Sequence, residues 1–302
     1  MKNVIVDLRA AKDLLSTDPI ITNGVAGDPS DKFKSKRNLR LNYYAVQALM
    51  ARVALYCGDK EMAWEYASKM IRGIHEEHKW FPFVTQEEVA ATDKEDRIFQ
   101  NEILFGLYNL KRKETVYSVG FGPNLRQSSV LRVDKDIMNE MYEGDENDFR
   151  LAYWFSEMVD PDNNSYTHMI KYMDVDDIDE KTKVSRGYTY IIPVLRMSEV
   201  YLIAAECCPD PKVGRDYLNV VRSARNVKNV EDEVDLMTAI EQEFRREFLG
   251  EGQLFWLYKR KGKAEIISGE KQGKMVSMEE RFYLFDLPQS EQYYREENGI
   301  GN

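Results

Sequence analysis

Apolar positions recur at the helical period at both ends of this chain and lose that period in the middle. Between Val4 and Leu15 they fall at 4, 5, 8, 11, 14 and 15, one face of a 3.6-residue repeat, and Asp18-Pro19 closes the run. A polar loop follows, with Gly24, Gly27 and Pro29 and the basic run Lys32, Lys34, Lys36, Arg37 and Arg40. With only Phe33 interleaved, that run reads as a solvated approach to the next helix. Residues 41–71 are apolar almost all round in their first half, with Ala45, Ala48, Ala51 and Ala54 on adjacent turns. Such a helix has to be covered, and its alanines let neighbours come close. Gly58 supplies a left-handed stop and Asp59 an N-cap for a second helix that places Ala63, Tyr66, Ala67, Met70 and Ile71 on one face.

A second hairpin of the same design begins at RMSEVYLIAAECC (196–208). Asp210-Pro211, a cap followed by proline at the first helical position, opens its partner, which turns Tyr217, Leu218, Val221 and Ala224 inward. Asp235 caps a third stretch, LMTAIEQEFRREFLGEG, running on into QLFWLYKRKGK. The tail FYLFDLPQSEQYY reads as a segment packing across the domain. Over 76–190 helical periodicity fades and aromatics alternate with charged and turn residues. EILFGLYNL (102–110) alternates as a strand does, and DPDNNSYTH (160–168) reads as a polar excursion. The fold expected is all-α: tetratricopeptide-like helical hairpins (about 41–75, and again in about 190–302) supporting an irregular, loop-rich region at about 76–190. No Pro- or Ser-rich linker divides it, so residues 1–302 read as one domain.

Composition narrows the function. With 43% hydrophobic and 31% charged residues the 302-residue chain is globular, and its 42 Lys and Arg against 52 Asp and Glu leave a net charge of −10, which argues against nucleic acid as a partner. No run of 18 apolar residues exists to cross a bilayer as a helix, and Asp7, Arg9, Lys12 and Asp13 interrupt any secretory core at the start. Cys57, Cys207 and Cys208, an odd number in apolar helical stretches, read as small buried residues rather than a disulfide framework. Aromatics reach 12%, tilted toward Tyr, which serves a core and also a sugar- or peptide-binding surface.

Candidate chemistry is sparse. Glu243, Glu247 and Glu251 repeat at four-residue spacing, close enough for a glycosidase pair, but Arg245, Arg246 and Lys259 beside them point to a structural ion-paired network. His75 and His78 lack the H-E-x-x-H spacing of a zinc site and read as a surface helix end. In DPDNNSYTHMIK (160–171) Ser165 stands where a calcium loop needs Gly and Lys171 where it needs Glu. DVDDIDE (174–180) also lacks the Gly, so an EF-hand is excluded and only an irregular calcium site is left open; no other cofactor is expected. The pairs Gly120/Gly122 and Gly250/Gly252 lack the rest of a phosphate cradle, and no nucleophile motif occurs. An enzyme is therefore not expected. Stacking on sugar C–H faces makes the middle-zone aromatics the candidate ligand residues. Trp154, Tyr153 and Tyr166, flanking the polar excursion, are expected to be exposed, with Trp80, Tyr117 and Asn164 completing the set.

In order along the chain, RLNYYAVQALMARVALYCGDKEMAWEYASKMI, YIIPVLRMSEVYLIAAEC, YLNVVRSARNV, RREFLGEGQLFWLYKR and LFDLPQSEQYY resemble the C-terminal portion of the SusD/RagB family of Bacteroidetes nutrient-uptake lipoproteins. The resemblance implies a helical scaffold without catalysis, capturing glycans, or peptides in RagB-like members, for a SusC-type TonB-dependent transporter. It also implies an outer-membrane, cell-surface location through a lipidated N-terminal Cys. That Cys, its signal and further tetratricopeptide helices do not occur in these 302 residues, so the chain is expected to be N-terminally truncated, with any membrane contact made through the absent anchor. The alternatives are a helical-repeat adaptor that binds only protein through its hairpins, and a helical glycosidase using Glu247 and Glu251.

Overall fold

The structure, a computed structural model, describes residues 2–91, 96–122, 125, 129–159, 163, 165–173 and 190–299. Asn164, the 174–180 acidic loop and part of the 160–171 loop lie outside the described residues. Helix α1 (Lys2–Leu14) leads to the short α2 (Ile20–Asn23) and then the first hairpin, α3 (Tyr43–Tyr56) and α4 (Lys60–Met70). After α5 (Gln86–Ala90) come strand β1 (Ile103–Tyr108), helices α6 (Lys135–Met141) and α7 (Phe149–Trp154), and strands β2 (Phe155–Val159), β3 (Ser165–Met169) and β4 (Ile191–Arg196). The second hairpin is α8 (Met197–Cys207) and α9 (Pro211–Ala224), followed by α10 (Leu236–Glu247), α11 (Leu254–Lys261), β5 (Glu265–Ile267), β6 (Met275–Ser277) and α12 (Gln289–Glu297). Helix dominates, and β1–β4, β2–β3 and β5–β6 each form a two-stranded antiparallel sheet.

The helix boundaries follow local chemistry. Asp59 accepts the Met62 amide at 3.0 Å, Asp210 that of Lys212 and Asp235 that of Thr238, each satisfying an orphan donor of a first turn. Gly58 takes φ +81° at the hairpin turn, as expected. Small residues Ala45, Ala48, Ala51, Ala63, Ala67, Ala204 and Ala205 bring α3, α4 and α8 together in the first core, with Met70, Ile71, Leu218 and Val221. The stretch expected to run from α10 into α11 is broken by Gly250 and Gly252, both at positive φ.

Several expectations are corrected. Arg37 is not solvated: it is 5% exposed and its guanidinium grips Asp18 at 2.7 and 2.8 Å, whereas its basic neighbours do face water. Cys57 is exposed because it is the C-cap of α3, at the turn rather than in the core. The tail packs on α11 through Tyr283, whose hydroxyl donates to the Lys263 carbonyl at 2.8 Å, and through the Phe285 ring, which meets Phe255 at 5.2 Å and Trp256 at 5.9 Å. Leu284 and Phe285 are exposed and α12 buries nothing, since QSEQYYREE has no apolar face.

Candidate functional site

The aromatic middle zone forms a second core. Phe99, Phe149, Trp154, Tyr142, Met141 and Tyr172 pack with β1 and the β2–β3 hairpin. Trp154, expected at the surface, is 0% exposed; its indole N–H donates to the Arg97 carbonyl, its ring stacks on Phe99, and the Lys171 ammonium sits 3.8 Å from its centroid. Tyr166 and Tyr117 are buried too, and the Tyr117 hydroxyl lies 3.1 Å from His168 Nε2. The reason is local. Residues 165–169 pair with 155–159 from Ser165↔Val159 to Met169↔Phe155, so the supposed excursion is half strand, with Tyr166 on an inward position. Tyr153 and Trp80 are half-buried, Trp80 stacked on the exposed His78 at 4.5 Å. His75 instead meets the Tyr201 hydroxyl at 2.7 Å, so the two imidazoles diverge. The structure therefore does not gather the five described candidates into one surface; Asn164 lies outside the described residues.

Where the two cores meet lies a buried ion network. Arg225 bridges Glu102 (2.7 and 2.8 Å) and Glu247 (2.6 and 3.0 Å). Arg150 joins Asp148, Glu243 and Glu247, and Arg196 joins Glu247 and Glu251. Burial alone drives the Glu247 carboxyl upward, but Arg225, Arg196 and Arg150 overcome it and hold the group well below the usual carboxylate range. Glu243 is likewise held down, by Arg150, Arg246 and Arg222 against its burial. Lys171 is pushed down to about 8 by burial, only partly offset by Glu251. Glu243 and Glu247 are 0% exposed and tied to their guanidinium partners, and Glu251 is held by Arg196 and Lys171, so none is placed to act on a substrate.

An open cleft of about 660 Å³ lies at the edge of the second core. Phe121, Val130, Met169 and Leu249 form its floor, and Leu131, 63% exposed, projects from one side. The Leu131 amide donates to the Gly120 carbonyl at 2.7 Å, fixing that wall. Gly250 lets the chain after α10 reach the floor: it has φ +75°, and a Cβ there would lie 2.5 Å from Met169 Cε. Asp134 on the rim caps α6 through Oδ1, leaving Oδ2 without a hydrogen bond among the described residues. Opposite, Ser268 Oγ accepts the Glu270 and Lys271 amides and shapes the turn between β5 and β6 that presents both side chains.

The cleft thus has an apolar floor and walls carrying donors (Arg132, Lys271) and acceptors (Asp134, Glu270). That mixture suits an uncharged ligand with several hydroxyls and apolar C–H faces. Sequence reasoning missed these residues because five separated stretches supply them and only Phe121 is aromatic. Among the described residues no three His, Cys, Asp or Glu come together to hold a metal ion, and no helix is long and apolar enough to cross a membrane.

A family model, described as that of the SusD family, matches residues 18–296, and the chain belongs to that family. Its fold recurs in solved structures. A SusD-like carbohydrate binding protein from Bacteroides vulgatus aligns at TM-score 0.66 with 16% identity, over 97% of this chain and 63% of that one. A SusD superfamily protein from Parabacteroides distasonis aligns at 0.62 with 17% identity, over 98% and 66%. One from Bacteroides thetaiotaomicron aligns at 0.59 with 24% identity, over 85% and 54%. The chain therefore spans between about half and two thirds of these proteins' lengths. No curated protein matches it.

Proposed function

We propose that this chain binds a glycan in the cleft lined by Phe121, 130–134 and 269–271 and serves nutrient uptake, passing the ligand to a SusC-type TonB-dependent transporter. The observation that carries the reading is the cleft itself: open, apolar below, with donors and acceptors of both signs along its walls. Sugar rings would lay C–H faces over Phe121 and Leu131 while Arg132, Asp134, Glu270 and Lys271 meet the hydroxyls. Family membership supports the role. No catalysis is proposed, because the closely spaced carboxylates are locked in ion pairs. The proposed location is the outer-membrane cell surface, through a lipid anchor outside these residues.

Affinity electrophoresis through gels cast with individual soluble polysaccharides, with oligosaccharides as competitors, tests the proposal. At least one glycan is expected to retard the protein. No retardation across a broad panel, with binding of short peptides instead, would transfer the chain to peptide capture.

A further inference from the structure

A second cavity, remote in sequence from the cleft, opens between α3, α8, α10 and α11, with a volume of about 350 Å³. Leu55, Ile203, Phe244 and Leu257 supply apolar walls, and Tyr56 and Trp256 meet edge to face at 6.5 Å. Trp256 remains 44% exposed although Phe255 and Phe285 approach its ring at 5.2 and 5.9 Å and the Lys259 ammonium lies 5.6 Å from its centroid. An apolar cavity of about 150 Å³ admits benzene, so this one has room for two fused rings.

The polar groups around it define the ligand further. Both guanidiniums on its wall are already matched: Arg52 to Glu199, through Nε at 2.6 Å, and Arg260 to Glu206, with both contacts at 2.7 Å. A charged ligand would find no unpaired charge among the residues that line the cavity and would have to break a pair or enter unpaired, which is costly; Lys259, whose ammonium lies 5.6 Å from the Trp256 centroid, is not one of them. Tyr56 and Gln253 line the same cavity, and neither side chain makes a hydrogen bond among the described residues.

We infer that this cavity binds a small uncharged aromatic compound of one or two rings carrying a hydroxyl. The ring is sandwiched by the apolar walls and the Trp256 face, and the hydroxyl is read by Tyr56 and Gln253. The site is separate from the glycan cleft, shares no residue with it, and stands whether or not a glycan binds there.

The test is titration of the 302-residue chain with 2-naphthol, followed by saturation-transfer NMR and by calorimetry, with 2-naphthoate as the charged counterpart. Saturable 2-naphthol binding is expected, at least about tenfold tighter than 2-naphthoate. Trp256→Ala, at an exposed position, is expected to weaken it at least about tenfold, and Val53→Trp, which fills the cavity from a half-buried position on α3, to abolish it. Leu131→Asp in the other cleft is expected to leave it unchanged. Thermal melts confirm that each variant is folded. Absent binding, equal binding of 2-naphthoate, or binding indifferent to both Trp256→Ala and Val53→Trp would overturn the inference.

Discussion

Asp96 shows how far a single side chain departs from its sequence context. It is 3% exposed, accepts the Gln100 amide at Oδ2 and leaves Oδ1 unpartnered. Burial, reinforced by Glu102 and Glu88, raises its carboxyl to about 7 although the Gln100 and Phe99 amides pull it down. The folded chain therefore keeps a proton that the unfolded chain, with the ordinary value of 3.8, has released. The stability this group contributes is complete below about pH 4 and lost as pH rises through about 7. Asp96→Asn is expected to flatten the melting-temperature profile between those limits; an unaltered slope would contradict that. Nothing in the sequence marks Asp96, because burial is a property of the packed second core. The triplet Glu243, Glu247, Glu251 was legible as ion-paired, yet of the neighbours that suggested it only Arg246 pairs with one of them. Their other partners, Arg150, Arg196, Arg222, Arg225 and Lys171, come from elsewhere because the α10 stripe faces inward.

Elements whose ends carry strong caps were legible: Gly58-Asp59, Asp210-Pro211 and Asp235 each mark a real boundary. The α3 cap was missed. Asn42 accepts the Tyr44 and Ala45 amides and donates to the Arg37, Arg40 and Leu104 carbonyls, the last 62 residues away. Asn42→Ala should cost about 3 kcal/mol, more than an ordinary cap, because it also strands buried carbonyls. A loss in chemical denaturation under about 1 kcal/mol would contradict this. Strand β3 was missed because its polar residues hide an inward position that only pairing with β2 creates. At the turn after α10, Gly250→Ala combines positive φ with a clash against Met169 and should cost roughly 1–3 kcal/mol. An unchanged denaturation midpoint would show that the backbone there is free to shift.

Across the whole molecule, the segments that carried the family resemblance converge in space. Arg196 from LRMSEV, Arg225 from RSARN and Glu247 and Glu251 from RREFLGEG meet in the ion network between the two cores, with Arg225 also lying over Phe83, Phe99 and Phe149. The scaffold was therefore readable from contiguous motifs. The cleft was not, since it is assembled from short stretches chosen by topology rather than spacing. Glu247→Ala should cost about 3–5 kcal/mol by leaving three buried guanidiniums under-paired, measured by urea unfolding at neutral pH. A cost below about 1 kcal/mol would mean that the network does not join the cores. Function at this scale turns on whether the cleft holds a sugar. The most direct test is calorimetric titration of a glycan that retards the protein, comparing the unaltered chain with the Asp134→Ala/Lys271→Ala double variant. Affinity is expected to be at least about tenfold weaker in the variant at unchanged fold, from the loss of two hydroxyl contacts of about 1 kcal/mol each. Equal affinity in the two proteins would contradict it.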